Sequence, residues 1–482
     1  MPAHRVKNYI GGEWVASQAS QVHKVHNPAT GELIAETPLG GMQDIDAAVR
    51  AATDAFETWR RVPPVQRARY LLKFLSLLEE NFETLAQIVT REHGKTLDEA
   101  RGSVRRGIEC VEVAVGAPSL LMGQVLEDVS SGVDCESVRQ PVGVFACIAP
   151  FNFPAMVPLW FYPFAVVCGN TFVCKPSEQV PLSQEKMFEL VHQSGFPKGV
   201  LNMVNGGKDA VNAMLDHPGI AGISFVGSSP VAKMVYERAA ATGKRVQALG
   251  GAKNYIIVMP DADMDAAVNA VAESAYGCAG ERCLAGSVVL TVGEAHAKMR
   301  EGLVSAIGAM KVGDGSKPGV TMGPVISKTH KERVLGYIEK GVEEGAELVV
   351  DGRQRDVPVG GYFVGPTLFD NVKTDMVVGK EEIFGPVLCI MQADTLDDAM
   401  EIVRQHPLAN ASSIFTTNGK HAREFKYNVP ASMTGVNIGV AAPMSYFGFG
   451  GAKGSFFGDL KAHGRESFDF YTDRKVVISR WT

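Results

Sequence analysis

A few short segments of this chain group residue types that could act on a small molecule. In GCAGERCLAG, Cys283 directly follows the cation of Arg282 and is flanked by Gly and Ala, which let a substrate approach closely. A neighbouring guanidinium favours a thiolate, and a thiolate is a nucleophile. Cys278 in the same run lacks a charged neighbour in sequence and reads as a packing residue. In PFNFP, Asn152 stands between two aromatics and two prolines whose fixed φ makes the turn rigid. Its amide could donate to a developing oxyanion or simply cap a turn, and the residues alone leave both open. In TFVCKPSE, Lys175 and Glu178 could hold ribose hydroxyls or form an ordinary solvated pair. In FVGSSP, a strand breaks at Gly227 and a helix opens at Ser228, with free N–H groups suited to a pyrophosphate. The GxGxxG form is missing there, so this signal is weak by itself. GFGGAKG at 448–454 looks superficially like a phosphate loop, but no strand-to-helix unit surrounds it, and a mobile or tightly packed loop is expected.

The elements that must position these residues follow from periodicity. From Asp44 to about Leu121 apolar residues recur at helical spacing, as in Tyr70, Leu71, Phe74, Leu77, Leu78 and Phe82, which predicts a helical layer. Between Val125 and Val144 the pattern becomes β-type around a Ser-Gly turn, which predicts a protruding hairpin. Short apolar runs then alternate with helical stretches: VGVFACIAP, TFVCKPS, VLNMVNG and GISFVGS. Such alternation means a parallel α/β sheet covered on both faces, with ligand at the carboxyl ends of its strands. A second alternating region runs from Tyr255 to about Ile438, and FDFYTDRKVVISRWT reads as a terminal strand.

Composition narrows the function classes. The chain has 482 residues, 46% hydrophobic and 21% charged, which is ordinary globular composition with room for two or three domains. With 47 basic and 53 acidic residues the net charge is -6, so nucleic acid is not an expected partner. The longest apolar stretch, about 155–168, contains Pro158 and Pro163 and falls short of the ~20 residues of a membrane span. No membrane association is expected. The N-terminal residues carry neither a secretory nor a transit pattern, and a cytoplasmic protein is expected. Eight scattered cysteines show no metal-ligand spacing, so reduced thiols and no metal site are expected.

Taken in order, these segments resemble the aldehyde dehydrogenase superfamily over nearly the whole chain: PFNFP, KPSE, FVGS, the Gly-rich run around Gly250, GERC, and EEIFGP with Glu382 and Phe384. The resemblance implies an α/β fold with a Rossmann-type NAD-binding domain (1–122 and 141–248), an α/β catalytic domain (249–440), and a small β oligomerisation unit of hairpin and C-terminal strand with a linker (123–140 and 441–482). It also implies a homo-oligomer, dimer or tetramer. By the same resemblance Cys283 attacks an aldehyde, Asn152 and the backbone N–H of Cys283 form the oxyanion hole, and an enzyme-bound thioester results. Ala149, Phe151, Lys175, Glu178, Gly227, Ser228, Leu249, Glu382 and Phe384 would contact the cofactor. An acid at Glu178 suits two free ribose hydroxyls better than a 2'-phosphate, which favours NAD over NADP.

One departure points to a branch. Hydrolytic members carry a Glu in Glu-Leu-Gly-Gly-Lys that activates water, whereas here the stretch is ALGGAKN, with Ala248 or Leu249 at that place. Neither takes a proton, so coenzyme A is the expected acyl acceptor. VQALGGAKN, RRGIECVEVAVGAPSLLMG, CIAPFNFPAMVPLWFYPFAVVCGN and KGSFFGDL are similar to the acylating methylmalonate-semialdehyde dehydrogenase branch. That similarity implies a carboxylated semialdehyde held by Arg106 and Arg282, although Arg106 beside Arg105 also reads as a solvated helix charge. Two departures remain: Leu249-Gly250-Gly251 in place of Asn-Met-Gly, and Glu281 in place of Gln. Glu281 is expected to add negative charge beside the carboxylate site.

Overall fold

The computed structural model describes residues 4–481. Four helices form the expected layer: Met42–Trp59, Pro64–Glu80, Phe82–His93 and Leu97–Val115. Each buries one stripe, such as Leu71, Phe74 and Leu78 on the second and Val104, Ile108 and Val111 on the fourth. The last begins with a capping box in which Thr96 and Glu99 satisfy each other's backbone N–H groups. No helix among the described residues is long and apolar enough to cross a membrane.

The first of two large sheets has eight strands, in the order Phe456–Gly458, Arg245–Leu249, Ile220–Val226, Val144–Ile148, Thr171–Lys175, Leu201–Met203, Asn8–Ile10 and Glu13–Val15. Its centre, from Arg245–Leu249 to Leu201–Met203, is parallel. The chain winds outward from Val144–Ile148 in one direction, then returns to its other side with Ile220–Val226. This reversal is the switch point of a doubly wound sheet, where a crevice opens at the carboxyl ends. The strands Val144–Ile148 and Thr171–Lys175 are buried throughout, which explains their unbroken apolar runs.

The second sheet has seven strands, in the order Glu347–Val350, Thr367–Asp370, Val387–Ala393, Gly286–Val292, Asn254–Val258, Ala411–Phe415 and Met433–Val436, parallel except at the first pair. The predicted hairpin forms from Gln124–Ser130 and Val133–Pro141, and Thr472–Arg480 pairs antiparallel with its second arm.

One local difference from the sequence reading has a simple cause. Phe468 to Phe470 do not begin the terminal strand: they close the helix Gly464–Phe470, whose buried Phe468 and Phe470 face the interior. Within 441–482, Phe456–Gly458 adds an edge to the first sheet while Thr472–Arg480 joins the hairpin. The loop around Gly448–Gly454 is packed: Ala452 and Lys453 pair with Leu408 and Ala409, and a Cβ on Gly451 would meet Ser455 at 2.4 Å.

Candidate active site

The carboxyl edge of the first sheet faces the amino edge of the second. From the first come Ala149, Phe151 and Asn152 after Val144–Ile148, Glu178 after Thr171–Lys175, and Gly227 and Ser228 after Ile220–Val226. From the second come Cys283 just ahead of Gly286–Val292, Glu382 and Phe384 just ahead of Val387–Ala393, and the glycines ahead of Asn254–Val258. Lys175 Nζ is buried against the carbonyls of Pro176 and Gly206 at 2.8 Å each, and lies 3.4 Å from Glu178. Ser228 is exposed at the start of the helix Ser229–Ala240 and its side chain caps nothing, which leaves that helix's first N–H groups free for a ligand. The rings of Phe151 and Phe384 meet edge to face at 5.8 Å. Leu249 ends its strand buried, and its carbonyl accepts the N–H of Gly227.

Cys283 is delivered by an unusual turn. After the helix Met264–Tyr276, Cys278, Ala279 and Gly280 take φ of 51°, 52° and 75°. Left-handed backbone costs a non-glycine residue about 1–2 kcal/mol, so the turn must be held from outside. Glu99, already capping its own helix, accepts the N–H of Cys278 at 2.6 Å. Gly280 packs so tightly on the carbonyl of Gly385 that a Cβ there would come within 2.1 Å. Two buried amides, Asn254 Nδ2 and Asn410 Nδ2, then donate to the carbonyl of Cys283 at 2.9 and 2.8 Å. Asn152 Nδ2 donates to the carbonyl of Glu281, two residues before Cys283, at 3.0 Å, which leaves its second hydrogen free. Lys95 Nζ, buried over the ring of Phe153, donates to the carbonyl of Asn152 at 2.6 Å. Lys95, Asn254 and Asn410 escaped sequence reasoning because their partners are main-chain carbonyls remote in sequence. Glu99 had a detectable signal in the T-x-x-E pattern, but only for its cap.

The electrostatics correct two expectations. Arg282 does not turn its guanidinium to Cys283: its Nε donates to Cys278 Sγ at 3.2 Å and its Nη2 lies 3.2 Å from Glu99. Cys278 therefore has a cationic partner after all. Burial pushes the Cys283 thiol up to about 12, and the nearby Glu382 adds to the rise, while the N–H groups of Cys283 and Leu284 pull the other way. Burial also raises Glu382 to about 7, opposed by the N–H of Ala252, which it accepts at 2.9 Å. Glu281 adds no charge to the substrate side. Its carboxyl is fully buried, accepts the N–H of Ile326 at 3.1 Å, and is pushed well above the carboxylate range by desolvation.

Cys283, Arg106 and Arg282 line one cavity of about 440 Å³, together with Phe153, Trp160 and Phe449. Arg106 is held by Glu109 at 3.1 Å and by the carbonyls of Ala442 and Pro443 at 3.3 Å. The cavity thus offers a thiol, an apolar wall and two guanidiniums to one small molecule.

Known proteins match this arrangement along its whole length. The chain is 50% identical over 477 residues to a malonate-semialdehyde dehydrogenase of Halalkalibacterium halodurans, covering 99% of this chain and 98% of that one. It is 52% identical to malonate-semialdehyde dehydrogenase 2 of Geobacillus kaustophilus, covering 99% of both. Among solved structures, a methylmalonate-semialdehyde dehydrogenase of Oceanimonas doudoroffii superposes with a TM-score of 0.98 at 46% identity, covering 99% of each chain. A Sinorhizobium meliloti protein described as a methylmalonate-semialdehyde dehydrogenase, solved with NAD, gives 0.98 at 43% identity, covering 100% of this chain and 98% of that one. The aldehyde dehydrogenase family profile matches residues 14–477, and the chain belongs to the aldehyde dehydrogenase family.

Proposed function

We propose that this enzyme oxidises malonate or methylmalonate semialdehyde with NAD, with loss of CO2 and transfer of the acyl group to coenzyme A. The observation that carries the reading is the single cavity lined by Cys283, Arg106 and Arg282. The relatives' names agree with it. Cys283 Sγ gives up its proton to solvent and attacks the aldehyde carbon, and the resulting oxyanion lies against Asn152 Nδ2 and the Cys283 N–H. NAD, held at the carboxyl ends of the first sheet, would supply the hydride acceptor whose action converts the adduct on Cys283 into a thioester. The residues present fit that cofactor: a doubly wound sheet, free N–H groups at Ser228, and Lys175 with Glu178 placed for a ribose. Ala149, Phe151, Gly227, Leu249, Glu382 and Phe384 line the remainder of that path. Arg106 and Arg282 hold the substrate carboxylate until the thioester carbonyl accepts its electron pair as CO2 leaves, and the resulting enolate carbon takes a proton from solvent to give the acetyl or propionyl thioester. The coenzyme A thiol then takes the acyl group.

The division of labour follows the sheets: residues 1–122 and 141–248 bind NAD and 249–440 carry the nucleophile. The exposed apolar residues Val125, Leu126, Val476 and Ile478 on the hairpin sheet support a dimer or tetramer. Eight free cysteines suit the reducing cytoplasm.

Product analysis by mass spectrometry with malonate semialdehyde, methylmalonate semialdehyde and propanal, each with and without coenzyme A, tests the reading. Acetyl- or propionyl-coenzyme A from the carboxylated substrates supports it, and free acids formed equally fast without coenzyme A overturn it. A second reading, hydrolysis, has one observation in its favour: Glu382, at about 7 and close to Cys283, could take a proton from water. A burst of about one reduced cofactor per site, followed by a slow phase that coenzyme A accelerates, separates acylation from hydrolysis.

A further inference from the structure

Behind the nucleophile turn lies a buried polar cluster that the proposed reaction does not use. Glu281 Oε1 lies 3.5 Å from His330 Nε2, and Oε2 lies 3.7 Å from His93 Nε2. All three side chains are buried or nearly so, and Glu281 Oε2 and both ring nitrogens of His93 have no hydrogen-bond partner. Leaving such groups unpaired in an interior is costly, so a cluster of this kind calls for an explanation.

Its neighbours supply one. His330 Nε2 donates to the carbonyl of Phe384 at 2.7 Å. Phe384 is a bulky residue with φ of 60°, a strained conformation that needs such an anchor. The His93 ring stacks on Phe151 at 6.2 Å, and Phe151 in turn meets Phe384. On the other side, the Glu281 carbonyl receives Asn152 Nδ2, and Cys283 follows two residues later. The cluster therefore touches the turn that carries the nucleophile and the turn that carries Phe384. The close packing of Gly280 on Gly385 joins the same two turns a few residues away.

We propose that Glu281 is a positioning residue: its carboxyl, with His330 and His93, ties the Cys283 turn to the Phe384 turn, so that the thiol and the cofactor-facing aromatic keep one mutual placement. Burial pushes the Glu281 carboxyl well above its ordinary range and both imidazoles below theirs; the charged groups facing them are Lys95 and Arg333, and neither forms an ion pair with Glu281. Glutamine has the size and shape of glutamate and keeps an oxygen to accept the Ile326 N–H, so it should replace it. The inference rests on the proposed cofactor role of Phe384.

Cross-measurements test it. Glu281→Ala alters the cysteine turn, yet it should raise KM for NAD by about tenfold. His330→Ala alters the Phe384 turn, yet it should slow alkylation of Cys283 by iodoacetamide by about tenfold, and the double variant should be no worse than either single one. Glu281→Gln should return both readings to within about threefold of the parent. Effects confined to each residue's own turn, or additive in the double variant at unchanged melting temperature, would overturn the proposal. If Glu281→Ala does not fold, His330→Ala carries the test alone through the alkylation rate, which needs neither cofactor nor turnover. Parent enzyme that forms no reduced NAD with any aldehyde would count against the proposed function, whereas normal parent turnover with no cross-effect counts against the coupling alone.

Discussion

The two large sheets meet at the same crevice with opposite ends. The first offers the carboxyl ends of its strands, where the chain leaves a buried strand and its next residues are free to bind: Asn152, Glu178, Ser228. The second offers amino ends, where the chain arrives from a loop and must be aimed before the strand begins: Cys283, Phe384, Asn410. The difference shows in what holds each side. Lys175 and Gly227 bond to main chain of their own sheet. The Cys283 turn is held by side chains from elsewhere, namely Glu99, Asn152, Asn254 and Asn410. A sheet end can bind on its own, but a reactive turn needs its scaffold.

The largest effect tests the reactive side itself. Cys283→Ser should lower NAD reduction by ~10⁴-fold or more, since a hydroxyl without an adjacent base is a poor nucleophile. Retained turnover would move the chemistry to another residue and dissolve the contrast. Asn152→Ala crosses from the first sheet to the second and should cost about 10²- to 10³-fold in kcat. A change within a few-fold would mean that the amide serves only the Glu281 carbonyl.

Substrate choice should separate the two arginines. Arg106→Leu should reduce kcat/KM for malonate semialdehyde about 10- to 100-fold more than for propanal. Arg282→Leu should harm both substrates, because it also leaves Glu99 and Cys278 without their partner. Equal losses from Arg106→Leu would assign it a structural role.

Asn254→Ala and Asn410→Ala sharpen the idea of a turn held from outside. Each removes one of two donors to the same carbonyl, and each should cost about 1 kcal/mol of stability by denaturant unfolding and about tenfold in kcat. Unchanged kcat at equal stability loss would mean that the amides hold the fold and not the nucleophile.

The smallest effect concerns pH. Glu382 is raised in the folded state to about 7, so its neutral form is the one the fold favours. Its contribution to stability is therefore fully present below the unfolded value near 4.3 and is lost as pH rises through about 7. Between pH 5 and 8, taken as roughly that window, the melting temperature of Glu382→Gln should gain ~3–5 °C on the parent. A constant difference would show that Glu382 does not change charge in that window.

Much of this molecule was written in local pattern. The helical layer, the alternation of buried strands and helices, the hairpin and the position of Cys283 follow from periodicity, turn chemistry and residue type, which act over a few neighbours. The motifs of the first sheet were readable for the same reason, since each directly follows its own strand. Three-dimensional packing decided the rest. Arg282 adjoins Cys283 in sequence, yet a left-handed turn directs it to Cys278. Glu281 seemed to face substrate, yet the same turn sends it into the interior against His93 and His330. The clamps of Asn254 and Asn410 and the support of Lys95 act on carbonyls 29, 127 and 57 residues away. A side chain's direction depends on backbone angles set by partners remote in sequence, and residue order alone does not carry that information.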